Sequence, residues 1–226
     1  MDALVDGWLT PVAQDYLKAL WSADEAGARG MSVNELAARS GVVASTASEN
    51  VRRLTAQGLL SHEPYQKVHL TEKGRRLAIG MIRRHRLLET YLHQALGFEW
   101  DEVHAEAEIL EHAVSDRLLD RLDAVLGYPT RDPHGDPIPR EDGTVCARPR
   151  VPLAQIPVGD RARIVRLSDG DAQILRDLDE AGLVLDTVVE VADRDGDRVS
   201  LARGDGGARV TIAEEASRAI WVEPLV

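Results

Sequence analysis

Between Gly127 and Pro152 the chain carries Pro129, Pro133, Pro137, Pro139, Pro149 and Pro152, with Gly135 and Gly143, and follows neither a helical nor a strand period. Proline fixes φ and removes a backbone donor, so no regular element runs through such a stretch. It separates two sequences of different kind, which excludes both a single helical bundle and a single sheet. On the C-terminal side, Arg161 to Leu167, Val188 to Val191, Val199 to Leu201, Arg209 to Ile212 and Ala219 to Glu223 are short β-like runs. Asp195-Gly196 is a hairpin signal, and one helix is expected near Gln173 to Ala181. This half reads as a small, partly open β-barrel.

The N-terminal side has helical period. Val12, Tyr16, Ala19 and Leu20 mark a helix from Pro11 to Gly27. Ser32-Val33-Asn34-Glu35 is a capping box that opens a second helix, which stops near Gly41. A third is expected from Ser45 to Gln57, before Gly58. Leu59 to Glu63 and Val68 to Thr71 read as two strands joined by the turn Pro64 to Lys67. A long helix follows from Glu72 to Leu96, Gly97 breaks it, and one further helix is expected from Asp101 to Leu126. No stretch of roughly 20 apolar residues is present, so no transmembrane helix is expected. The start, Met1 to Asp6, carries acids where a signal peptide needs basic residues, and Cys146 has no internal partner. The expected location is the cytoplasm.

Net charge is −11, which argues against nucleic-acid binding until its distribution is read. From Asn50 to Arg86 nine basic side chains face two acidic ones, and from Leu87 to Gly127 ten acidic side chains face two basic ones. A block suited to phosphates thus adjoins a block suited to cations. Two ordinary solvated surfaces are the plain alternative.

Two short helices around Ser40-Gly41-Val42, followed by a hairpin, form a winged helix-turn-helix pattern. Leu36 and Ala37 pack it against Val51 and Leu54. The second helix would enter a major groove of double-stranded DNA. Its early polar positions, Ser45, Thr46, Ser48, Glu49 and Asn50, are suited to base edges, and Arg52, Arg53 and Lys67 to phosphates. A helical hairpin used for protein contact is the alternative.

Three of the seven histidines fall among carboxylates at helical spacing. His85 and Glu89 are four apart, and His104, Glu108, Glu111 and His112 share one side of their helix. That row adjoins the apolar stripe Val103, Ala107, Leu110 and Val114, where partly buried carboxylates need a counter-charge. A divalent cation would supply it, and nitrogen and oxygen donors without thiolate suit Mn²⁺ or Fe²⁺ better than a structural zinc. A solvated acidic face with incidental histidines is the alternative. His62, His69, His93 and His134 have no partner at such spacing and read as ordinary surface or core residues. A hydrolase is disfavoured: neither a nucleophile nor a phosphate-cradling glycine loop accompanies these donors.

The stretches Arg84-His85-Arg86-Leu87 with Glu89, Val103 to Glu108, Glu111 to Asp116, and Gly135-Asp136-Pro137-Ile138-Pro139 resemble the diphtheria toxin repressor family of metal-dependent transcriptional repressors, in its manganese-responsive, MntR-type branch. The resemblance implies a mainly α chain with a small β domain: a winged helix-turn-helix DNA-binding domain over residues 1–76, a helical dimerisation and metal-binding domain over 77–127, a Pro-rich linker over 128–152, and an SH3-like, FeoA-like β-barrel over 153–226. It also implies a homodimer that binds operator DNA and no small organic substrate, is not an enzyme, and holds two metal sites per subunit. His85, Glu89 and His104 resemble an ancillary site; Glu108, Glu111 and His112, joined by Asp15 of the first helix, resemble the primary one. Iron-responsive members carry Met and Cys where this chain has Asp15 and Glu108, and hard carboxylates favour Mn²⁺ over Fe²⁺. Three positions depart from the pattern. Lys18 stands where short manganese repressors carry a further Glu. The barrel loop Ser168 to Gln173 offers only Asp169 or Asp171 as a ligand. Glu49 replaces a common Gln, so operator preference does not carry over.

Overall fold

A computed structural model describes residues 9–146, 149–204 and 209–225; the acidic start, Met1 to Asp6, lies outside the described residues. The chain divides into two compact units, one made of residues 1–85, 110–121 and 139–145, the other of residues 86–109, 122–138 and 146–226.

In the first unit, helix α1 (Pro11–Glu25) starts where Thr10 caps the N–H of Ala13 and Pro11 takes the first-turn position. α2 (Val33–Arg39) opens on the expected capping box: Ser32 Oγ accepts from Glu35 N, and Glu35 accepts from Ser32 N. α3 (Ala44–Ala56) follows after Gly41, and two antiparallel strands, β1 (Leu60–Ser61) and β2 (His69–Leu70), pair Leu60 with Leu70. They are shorter than the sequence suggests, but Met31 bridges to Val68 beside them. Tyr16, Leu17 and Leu20 of α1 share one core with Leu36 and Ala37 of α2 and Val51 and Leu54 of α3. The position of α1 and that of α3 are therefore linked through close-packed side chains.

α4 (Glu72–Leu96) matches expectation. The helix expected over Asp101 to Leu126 does not: it is two helices, α5 (Val103–Leu110) and α6 (Asp116–Val125). The amides of Ala113 and Val114 fold back onto Leu110 O, and Ser115 Oγ then accepts from Leu118 N as a new cap. The apolar stripe stays in phase across the break, which is why periodicity alone reads one helix. Among its members Val103 and Ala107 are buried, whereas Leu110 is exposed.

The second unit contains a six-stranded antiparallel sheet in the order β3-β8-β4-β5-β6-β7. Its strands are β3 (Val151–Pro152), β4 (Arg161–Leu167), β5 (Val188–Asp195), β6 (Arg198–Arg203), β7 (Arg209–Ala213) and β8 (Ile220–Leu225), with bulges in the β4–β8 and β5–β6 ladders that bend the sheet. The β5–β6 hairpin turns at Gly196, φ 58°. α7 (Ala172–Glu180) and α8 (Glu214–Arg218) connect strands. Ala162, Ile164, Leu167, Leu175, Val189, Val199, Leu201 and Val222 fill the core at or near zero exposure. Among the described residues of the proline-rich stretch before β3 there is no helix, yet Asp132, His134, Asp136 and Ile138 in it are buried.

Candidate functional site

The first cluster belongs to the first unit. On α1, Lys18 lies four residues after Gln14 and three after Asp15, so it neighbours both on the helix surface. Glu111 and His112 follow α5, where Arg84 holds their turn through Glu111 O at 3.4 Å and Asp116 Oδ1 at 2.5 Å. Gln14 Nε2 donates to Leu9 O, which leaves its Oε1 to accept from His112 Nδ1 at 2.8 Å. In a neutral His112 ring the proton is then on Nδ1, and Nε2 is the nitrogen turned toward Asp15 Oδ1 at 3.3 Å and Glu111 Oε1 at 3.8 Å. Asp15, Glu111 and His112 offer ligand atoms within 4.8 Å of one another. A metal-binding histidine is oriented in this way, its second ring nitrogen tied to an oxygen.

Glu111 is buried, 1% exposed. His85 Nδ1 donates to its Oε2 at 2.6 Å and Lys18 Nζ to its Oε1 at 2.6 Å. Burial alone would raise this carboxyl; His85 and Lys18 hold it below the ordinary carboxylate value.

The second cluster belongs to the second unit. Glu89 of α4 is buried, and its Oε1 lies 3.1 Å from His104 Nδ1 on α5. The same nitrogen lies 3.2 Å from Oδ2 of Asp169, in the β4–α7 loop, and His104 Nε2 lies 3.7 Å from Glu108 one turn on. Hydrogen bonds to Asp169 and Glu89 push His104 up to about 10. Asp169 is held low despite burial, chiefly by His104. Asp171 takes no part: it caps α7, accepting from Gln173 N and Ile174 N. His134 comes to this cluster from the proline-rich stretch. Its Nε2 donates to Trp100 O at 2.7 Å, and its Nδ1 lies 3.9 Å from Glu89 Oε2. Glu89, His134 and Asp169 form a second set of ligand atoms within 4.8 Å. Burial would lower this imidazole, but Glu89, Asp132 and Asp169 push it up to about 9.

On α3, Ser45, Thr46, Ser48, Glu49, Arg52 and Arg53 are exposed and Asn50 is half-buried. Glu49 accepts from Arg52, and Arg53 donates to Asn50 Oδ1 and Thr10 Oγ1, both at 3.3 Å. Lys67 donates to Ala28 O and Gly30 O. Tyr65, fully exposed at the hairpin tip, was not singled out from sequence.

Three family models match in succession: the iron dependent repressor N-terminal DNA binding domain over residues 8–68, the iron dependent repressor metal binding and dimerisation domain over 71–140, and the FeoA domain over 151–224. The iron-dependent repressor IdeR of Mycobacterium tuberculosis is 34% identical over 236 residues, covering 99% of each chain. The chain belongs to the family of metal-dependent transcriptional repressors that includes the diphtheria toxin repressor. The Corynebacterium diphtheriae member is 29% identical, covering 96% of this chain and 99% of its own. A solved structure described as a manganese-dependent transcriptional repressor in complex with manganese is 50% identical, covers 94% of this chain and 100% of its own, and superposes with a TM-score of 0.89.

Within this repressor the residues expected to form two metal sites are distributed as follows. Asp15, Glu111 and His112 come together, with His85 as a donor to Glu111. Glu89 and His104 come together with Asp169, and Glu108 lies beside His104. Gln14, Lys18 and His134 were not picked out as site residues. Only Asp132-Pro133-His134-Gly135-Asp136, a histidine between two acids, carried a signal. Both clusters hold oxygen and imidazole donors, and Cys146, the chain's one thiol, is exposed and in neither. They fit a hard or borderline divalent cation.

Proposed function

We propose that this repressor is manganese-activated: a homodimer that binds double-stranded operator DNA of manganese-uptake genes in the cytoplasm, acting by binding and not by turnover. The observation that carries the reading is the cluster of Asp15, Glu111 and His112, two carboxylates and an oriented imidazole with no sulfur. A bound divalent cation supplies the positive charge that lets two carboxylates converge on one imidazole lone pair. Asp15 lies on α1, and α1 shares its core with α3, so holding Asp15 against Glu111 and His112 fixes where α3 points. In a dimer that sets the separation of two recognition helices against half-sites about one helical turn apart. Moving a population from mostly inactive to mostly active takes about 5 kcal/mol of differential binding.

Ser45, Thr46, Ser48, Glu49 and Asn50 are proposed to face base edges, and Arg52, Arg53 and Lys67 phosphates. Glu89, His85 and His104 are proposed as ligands of an ancillary ion, and Glu108 as a ligand on the family resemblance alone. Leu118 and Val125, exposed and seven apart on one face of α6, suit a dimer contact.

Iron is the second reading, favoured by the curated relatives named as iron-dependent repressors. The test is an anaerobic operator-binding titration with Mn²⁺, Fe²⁺ and Zn²⁺ at matched free concentrations and constant salt. Manganese should activate at the lowest concentration, and Asp15→Asn or His112→Asn should abolish the response. Operator binding that persists unchanged in chelator refutes the mechanism and points to a metal-independent regulator.

A further inference from the structure

We propose that Tyr65 is a DNA-contacting residue: from the tip of the β1–β2 hairpin it lays its ring on a deoxyribose of the operator backbone and donates its hydroxyl to a phosphate, outside the stretch that α3 reads. The proposal rests on the operator-binding reading above and adds a contact which that reading does not contain.

The tip is a turn built on an unfavourable residue. Gln66 N donates to Glu63 O at 3.0 Å, which makes Pro64 and Tyr65 the two central positions of a β-turn. The proline ring holds φ at about −65°, and Tyr65 follows with φ 67°. A turn that passes from negative to positive φ takes glycine or asparagine at its second central position. A Cβ in left-handed backbone crowds the next carbonyl oxygen, so a bulky aromatic there is strained. The fold gives nothing in return: Tyr65 is 103% exposed and packs on no neighbour. Strain kept without a gain in packing points to a function.

The turn is also held firmly with respect to α3. Leu59 N donates to Leu54 O, and Leu60 and Val68 are buried in the same core as Val51 and Leu54 of α3. Met31 N donates to Val68 O at 3.2 Å and Val68 N to Met31 O at 2.7 Å. Lys67 Nζ ties the hairpin to Ala28 O and Gly30 O. With α3 in a major groove, Tyr65 is carried to a fixed place on the duplex, and little ordering entropy is lost when it lands.

The surroundings favour nucleic acid over protein. Apart from Pro64 the tip is polar, so Tyr65 has no apolar company with which to form the buried centre of a protein interface. The segment from Asn50 to Arg86 carries nine basic side chains against two acidic ones, a field that draws in phosphate. A phenol adds a flat apolar face for the sugar and a neutral donor for a phosphate oxygen, a contact that positions without reading sequence.

The test uses full-length protein with Mn²⁺ and a duplex selected by the parent from a random-sequence pool. Tyr65→Gly and Tyr65→Ala both remove the side chain, but only glycine relieves the backbone, so Tyr65→Gly should melt higher than Tyr65→Ala. Both should bind the duplex about tenfold more weakly than the parent, and Tyr65→Phe, which keeps the ring, should fall between. No charge is lost, so the slope of log K against log salt should not change. In hydroxyl-radical footprinting the parent should shield deoxyriboses just outside those covered by α3, and the glycine and alanine variants should lose that shielding alone. Duplex binding as tight as the parent's, or an unaltered footprint, overturns the proposal. So does a Tyr65→Gly protein that scatters light as a monomer, which makes Tyr65 a contact between subunits. If the parent itself binds no duplex, the proposed function fails; if the parent binds and the variants match it, only this contact does.

Discussion

Lys18→Met removes the ammonium 2.6 Å from Glu111 Oε1 and keeps most of the aliphatic bulk. Both groups are sheltered, Lys18 at 12% and Glu111 at 1% side-chain exposure, so water does not replace the lost partner. Stripping a buried charge of all its partners costs about 3–5 kcal/mol. Here His85 still donates to Oε2 at 2.6 Å, so the smaller figure for one hydrogen bond to a charged group, about 1.5–3 kcal/mol, applies. At about 2–4 °C per kcal/mol for a chain of this size, the metal-free protein should melt several degrees lower. Metal binding should change in the opposite sense. Glu111 Oε1 is the oxygen turned toward His112 Nε2, and in the parent an incoming ion competes there with the ammonium. Without it, Mn²⁺ should bind about tenfold tighter, a gain of about 1.4 kcal/mol. Melting curves with and without Mn²⁺ should therefore converge near saturation, with the variant showing the larger metal-induced rise. Calorimetric melting and paramagnetic titration of free Mn²⁺ read both effects. If the metal-free melting point is unmoved, or Mn²⁺ binds the variant no more tightly, Lys18 is not a built-in competitor and the reasoning is wrong.

Gly135→Ala forces a side chain into left-handed backbone and to within 2.1 Å of Val165 O. A cost of about 3 kcal/mol is expected from strain and displacement together, seen as a melting point about 6–12 °C lower. Arg52→Ala should weaken operator binding about equally across sequences and reduce the slope of log K against log salt by about 1, read by anisotropy titration at several salt concentrations. A change confined to one base position would instead make Arg52 a reader of sequence. Leu118→Glu with Val125→Glu should turn the homodimer into monomer on light scattering; a dimer that survives both charges relocates the interface.

What was legible in the sequence follows from how far each signal reaches. Helices with caps and fixed apolar spacing were plain: Ser32 and Glu35 marked α2, and α4 ran from Glu72 to Leu96 as expected. The strands after the prolines were also placed, because each alternates around a core position such as Val189 or Leu201. The α5–α6 break was not, since Leu110 and Leu118 keep the helical phase across it and only Ser115-Asp116, a cap signal, betrays the turn. The same limit governs the site. His85 with Glu89 and His104 with Glu108 are four apart on a helix, and that spacing alone brought them to notice. Gln14 and His112 lie 98 positions apart, and Lys18 and Glu111 lie 93 apart; packing, not periodicity, joins them. His134 was set aside because it sits among prolines, where no period exists to expose a partner. Yet the prolines leave the loop few conformations, Gly135 permits its left-handed turn at φ 91°, and a stiff loop is what can hold a buried ring nitrogen in one direction. The features that made this segment read as a linker are thus the ones that let it hold His134 as a rigid arm, and a residue delivered by such an arm leaves no trace in any helical or strand pattern.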